Sequence, residues 1–167
     1  MNLEAIQESL RGADIDGWLF YDFHHRDAMA YAILGLDFSE MATRRWFYWI
    51  PAEGEPVKLC HTVEPRRLDR LPGRQEFYLP WTQLREKLAN ILAGANKVAM
   101  QYSPMADVPV VSVVDAGTIE LIRSMGPDVV SSADLVQQFE ATLDDEGLDS
   151  HRWAGERVLA IKDEAYG

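Results

Sequence analysis

Apolar positions return at helical spacing from the start of the chain. Leu3, Ile6, Leu10 and Ala13 share one side of a helix, which Gly12 and Asp14 bring to an end. Gly17-Trp18-Leu19-Phe20-Tyr21 is then a short apolar run between Asp16 and Asp22, the pattern of a buried strand. Ala28 to Leu34 reads as a helix with Gly35 as its C-cap. Two strand-like runs follow, Trp46 to Ile50 and Val57 to His61. The Pro/Gly/Glu segment between them makes an antiparallel hairpin. Glu64 to Leu71 is expected to form a short helix stopped by Pro72-Gly73, and Glu76 to Leu79 a strand. Thr82 to Leu92 has the cleanest amphipathic pattern, with Leu84, Leu88, Ile91 and Leu92 in register.

Lys97 to Tyr102 reads as a strand. Val108 to Val114 is apolar but carries Pro109, so it reads as an edge or irregular strand. Asp115 is placed to cap a helix through Ile119, Ile122 and Met125. Val129-Val130 is a minimal strand, and Ser131 or Ser132 caps a helix bearing Leu135, Val136 and Phe139. Helical and strand patterns alternate around one hairpin. That order predicts a three-layer α/β domain in which helices flank a mixed β-sheet.

The last stretch is of a different kind. Asp144, Asp145 and Glu146 place negative charge at a helix N-terminus. Leu148, Trp153, Val158, Leu159 and Ile161 supply an apolar side from about Asp149 onward, over roughly 28 Å at ~1.5 Å per residue. Two readings stay open: a docked terminal helix, or a connector to a second domain. On the second reading the sequence divides into a domain over residues 1–147 and the start of a connector helix over residues 148–167.

Composition narrows the function classes. The 167 residues are 47% hydrophobic, enough for one domain with a real core. Acidic residues outnumber basic ones 27 to 16, for a formal charge of −11. That balance repels phosphate backbones and anionic membranes, so neither nucleic acid nor membrane is an expected partner. A single cysteine, Cys60, forms no internal disulfide, and no signal-peptide pattern opens the chain. Both fit a cytoplasmic location. The apolar runs fall far short of the ~20 residues of a membrane span.

Catalytic motifs are missing. There is no HExxH, GxSxG, GxxxxGK[ST] or GxGxxG. His24 and His25 diverge in either a strand or a helix, and Cys60 and His61 face opposite ways in a strand. Three stretches remain as site candidates, one of them the aromatic run Trp46 to Trp49, which could line a groove but is explained more simply by burial alternating between two sheet faces. Asp22-Phe23-His24-His25-Arg26-Asp27 follows a strand, where ligands often sit, although a turn with Asp22 or Asp27 as helix cap is the simpler account of it. Arg44-Arg45-Trp46 couples two guanidinium forks to an aromatic plane, suited to a carboxylate or to ordinary salt bridges.

Taken together these stretches resemble the N-terminal domain of the creatinase/prolidase/aminopeptidase P metallopeptidases, along essentially the whole chain. The likeness rests on Asp16 to Phe20 with Tyr31 to Gly35, on the hairpin Trp46 to Pro51 with Glu53-Gly54-Glu55-Pro56, on Ser132 to Val136, and on Ser150 to Ala165 as a linker helix. His24-His25 departs from it, since many relatives carry Pro and Asn there. The resemblance implies a three-layer, ribonuclease H-like domain that is itself non-catalytic. It implies a parent enzyme cleaving Xaa-Pro bonds with two divalent metals, Mn or Co, all held by a C-terminal catalytic domain outside this sequence. It also implies a homodimer in which the N-terminal domain walls the substrate site. Arg44, Arg45, Trp46 and His24 are the candidates for that wall. The alternative is a free-standing protein-binding module of the same fold. A third reading is a small hydrolase using His24 or His61.

Overall fold

A computed structural model describes every residue from Met1 to Gly167. The chain runs α1 (Leu3–Gly12), β1 (Gly17–Asp22), α2 (Ala28–Leu34), β2 (Trp46–Pro51), β3 (Val57–His61), β4 (Arg74–Tyr78), α3 (Trp81–Ile91), β5 (Lys97–Met100), α4 (Ala116–Arg123), β6 (Asp128–Ser131), α5 (Ala133–Glu140) and α6 (Asp145–Tyr166). One sheet orders its strands β4-β3-β2-β1-β5-β6. The β2 strand pairs antiparallel with both β1 and β3, and every other pairing is parallel. The sheet is therefore mixed by virtue of β2 alone.

The period of two along the central strands makes two cores. On β1, Trp18 and Phe20 point to one face while Leu19 and Tyr21 point to the other; on β2, Trp46, Tyr48 and Ile50 oppose Phe47 and Trp49. The first face packs against α1, α2 and α5 through Ile6, Leu10, Tyr31 and Leu135. The second packs against α3 and α4 through Leu84, Leu88, Ile119 and Ile122. The strand β1 is covered on both faces, so all six of its residues are buried, and the run before Asp22 is correspondingly apolar. In the first core Trp18 donates its indole N–H to Gln101 Oε1 at 3.2 Å, so the deepest indole is not left unpaired.

Several expected features are present. Gly35 caps α2 in the left-handed conformation, φ 67°. The Asp115 side chain caps α4 by accepting from Thr118 N. Three expectations need correction. Glu64 to Leu71 forms successive turns and not a helix: its bonds run from Asp69 N to Arg66 O and from Leu71 N to Leu68 O, three residues apart, and Pro65 has no N–H to give. Leu68 and Leu71 are nonetheless buried, so their burial fixes these turns. Val108 to Val114 is no strand; Pro104–Ala106 and Pro109–Val111 are short 3₁₀ turns, each opened by its proline. The last helix begins at Asp145 and not near Asp149, because Asp144 caps it by accepting from Gly147 N at 2.7 Å.

No residue of α6 is buried. Trp153, Val158, Leu159, Ile161 and Tyr166 are all exposed. Nor do they form one stripe: at about 100° per residue, Trp153, Val158 and Leu159 point in three different directions. No helix is long and apolar enough to cross a membrane.

Candidate functional site

The loop after β1 is tied to one carboxylate. Asp22, 1% exposed, accepts from the backbone N–H groups of His25 (3.0 Å), Arg26 (2.7 Å) and Asp27 (3.2 Å), and from the Tyr31 hydroxyl (3.0 Å). Gathering three successive amides onto one side chain requires a tight reversal. His24 and His25 make it, both in the left-handed region with φ of 62° and 57°. Asp27 then caps α2 through Ala30 N at 2.9 Å, while its Oδ2 is buried with no protein partner. Burial, followed by repulsion from Asp22, pushes the Asp27 carboxyl up to about 7. Asp27 is thus the helix cap, and Asp22 is the acceptor that ties down the loop. His24 is exposed with its ring edge against Phe23, and His25 Nε2 lies 2.7 Å from Glu40 O.

Arg44, Arg45 and Trp46 part company as the chain enters β2. Trp46 is 1% exposed and packs on Tyr31 with ring centroids 5.9 Å apart. Its indole therefore faces the first core, behind any surface the segment presents. Arg44 is exposed, and its backbone is fixed by Glu64, which accepts from Arg44 N, Thr43 N and Thr43 Oγ1. Burial raises the Glu64 carboxyl, but these bonds outweigh it and hold the group below its ordinary value. Arg45 lies half-buried at the C-terminal end of β1, since Asp22 and Trp46 are register partners.

At that end of the sheet, on the α3/α4 side, a cleft of about 590 Å³ opens. Tyr21 and Arg45 are at its base, Trp81 and Arg85 on the first turns of α3, and Asp115 and Thr118 at the start of α4. Arg26 comes to it from the loop after β1. Asp115 is occupied: it accepts from Thr118 N and Oγ1 (2.9 and 2.8 Å) and from the Tyr21 hydroxyl (3.2 Å). Of the four residues singled out from the sequence, only Arg45 lines this cleft. Arg26 belongs to the loop stretch that the sequence also offered, whereas Trp81 and Arg85 carried no signal of their own, because only the fold brings these separate segments together.

No three His, Cys, Asp or Glu side chains come together in a way that could hold a metal ion. The two-metal centre implied by the resemblance does not fit the residues of this chain. Cys60 and His61 also fail as a nucleophile pair. Cys60 belongs to the first core, and burial pushes its thiol up to about 11. The His61 ring is on Tyr78, with Nδ1 accepting from Val63 N.

No protein-family model matches the chain, and no curated protein sequence does. Solved structures do match. The prolidase from Thermococcus sibiricus superposes with a TM-score of 0.65 at 12% identity, over 97% of this chain and 42% of that one. The prolidase from Pyrococcus horikoshii OT3 gives 0.59 at 13% identity, over 88% of this chain and 37% of that one. The creatinase/prolidase N-terminal domain of an X-Pro dipeptidase from Streptococcus pyogenes gives 0.61 at 15% identity, over 81% of this chain and 96% of that one. The fold is that of a creatinase/prolidase N-terminal domain. The chain spans about two fifths of the two prolidases and nearly all of the isolated domain. Identities this low establish architecture and carry no residue-by-residue roles.

Proposed function

We propose that this chain is the non-catalytic N-terminal domain of a metallopeptidase acting on Xaa-Pro bonds, joined through α6 to a catalytic domain that holds the divalent metals. The observation that carries the reading is the fold itself, superposing along 97% of the chain on less than half of a prolidase. Two features support it. The chain brings together no set of metal ligands, so bond cleavage would be the task of another part of the polypeptide. A helix with apolar side chains on several sides is one that neighbouring structure surrounds, and α6 has that character. In this reading the domain supplies homodimer contacts and a wall of the substrate site. Arg44, Arg45 and His24 are the solvent-accessible groups for the wall, with Trp46 anchoring the segment from behind.

The test has two parts. The purified chain with added Mn²⁺ is expected to show no turnover of an Xaa-Pro dipeptide above background; turnover would overturn the reading. The reading frame beyond Gly167 is expected to encode roughly 220–250 further residues, a usual domain size, including two Asp, one His and two Glu as ligands. A stop codon directly after Gly167 would instead favour a free-standing protein-binding module of the same fold.

A further inference from the structure

The arginines of this acidic chain are mostly engaged. Arg66, Arg67, Arg70, Arg74 and Arg152 pair with carboxylates, and Arg11, Arg44 and Arg123 donate to backbone carbonyls. Only Arg26, Arg45, Arg85 and Arg157 bond neither carboxylate nor carbonyl. Arg157 lies over Trp153 on the exposed α6. The other three all line the cleft beyond β1. Its one carboxylate, Asp115, is committed to Thr118 and Tyr21, so a local excess of positive charge persists inside a chain of net charge −11.

Two of these guanidiniums are already oriented. Arg85 sits over the Trp81 ring at 4.9 Å, and Arg26 over the Phe23 ring at 5.7 Å. Contact with the rings consumes none of the N–H donors, so the edges of both guanidiniums stay free. Free edges are the geometry for receiving a carboxylate or phosphate through paired hydrogen bonds. Leu84 and Leu121 add an apolar lining. The volume, about 590 Å³, falls within the roughly 300–1,000 Å³ of small-molecule sites and exceeds the need of a bare inorganic ion.

We propose that this cleft binds a small organic anion, its carboxylate or phosphate held by Arg26, Arg45 and Arg85 and its apolar body lying against Leu84 and Leu121. The proposal rests on the cleft and not on the peptidase reading. A chain that proves to be a free-standing module would keep the site.

The experiment titrates the chain with benzoate, phenyl phosphate and inorganic phosphate at low salt. Binding is followed by NMR of the Trp81 indole and arginine side-chain N–H signals. Saturable shifts are expected with benzoate or phenyl phosphate at a Kd below about 1 mM. Whichever of the two binds tighter names the anion. Arg45→Gln and Arg85→Gln are each expected to weaken binding at least about tenfold. Arg157→Gln, which removes an equally free arginine elsewhere, is expected to leave it unchanged. No saturable shift up to about 10 mM, survival of binding in the triple Arg26/Arg45/Arg85→Gln variant, or an equal loss with Arg157→Gln would each overturn the proposal. Inorganic phosphate binding as tightly as phenyl phosphate would overturn the claim that the ligand is organic.

Discussion

The indole of Trp49 lies across the Cα of Gly17, so close that a Cβ at residue 17 would meet the Trp49 ring carbons and the Ile50 carbonyl inside any contact real side chains make. Gly17 starts β1 opposite Pro51, and Trp49, 6% exposed, reaches diagonally back to it on the second face of the sheet. The absence of a side chain at residue 17 is what seats the ring. Gly17→Ala is expected to cost about 1–3 kcal/mol by overpacking, read from urea unfolding. Adding Trp49→Leu to Gly17→Ala is expected to cost less than the sum of the two single changes. Strict additivity would show that the ring is not the obstacle.

Asp27 makes stability depend on pH. Its carboxyl sits near 7 in the folded chain against an ordinary 3.8, because burial, and then Asp22, disfavour the charge. A raised carboxyl contributes stability that is fully present below about pH 3.8 and is lost as pH rises through about 7. Between pH 5 and pH 8 this one group is expected to remove about 2–3 kcal/mol. Asp27→Asn keeps an acceptor for Ala30 N without the titration. Its unfolding free energy should therefore fall less over that interval than that of the parent chain. Equal slopes in the two proteins would rule out Asp27 as the source.

The buried thiol of Cys60 is expected to be silent. With its ionisation pushed up to about 11, almost no thiolate exists at pH 8, and 1% exposure keeps reagents away. A chromogenic disulfide reagent should react only on the timescale of unfolding and stoichiometrically once urea opens the chain. Fast labelling of the native protein would contradict the burial.

Removing residues 148–167 is expected to leave the domain intact. No residue of α6 contributes to either core, so the truncated chain should keep its melting temperature within about 2 °C. It should also bind less of a dye that senses exposed apolar surface, since Trp153, Val158, Leu159, Ile161 and Tyr166 leave with the helix. A large drop in melting temperature would mean that the boundary lies elsewhere.

Much of the fold is legible in the sequence for a physical reason. Strands covered on both faces must be continuously apolar, and Gly17 to Tyr21 and Trp46 to Ile50 stand out on that account. Gly35 and Asp115 mark helix ends through local chemistry, so their roles are readable without the fold. The misreadings are of another sort. Glu64 to Leu71 looks helical because Leu68 and Leu71 have to be buried, but turns bury them as well. Val108 to Val114 has strand composition, yet Pro109 opens a 3₁₀ turn inside it, and Pro104 opens another just before it. The cleft was mostly illegible. Arg45 drew notice only as half of a doublet, and nothing in the sequence says that Arg26 and Arg85 would stand beside it without carboxylate partners.

The single reversed strand has a consequence for synthesis. The strands β1, β2 and β3 meet through neighbouring segments and can zip up once His61 has left the ribosome, whereas β5, which completes the other side of β1, begins at Lys97. At roughly 5–20 residues per second the nascent chain spends a few seconds with the open edge of β1 unpaired. That edge belongs to a strand without a charge in its first five residues, the kind that recruits strands from neighbouring chains. Association between copies of this chain is therefore expected to begin in that interval, before the sheet is complete.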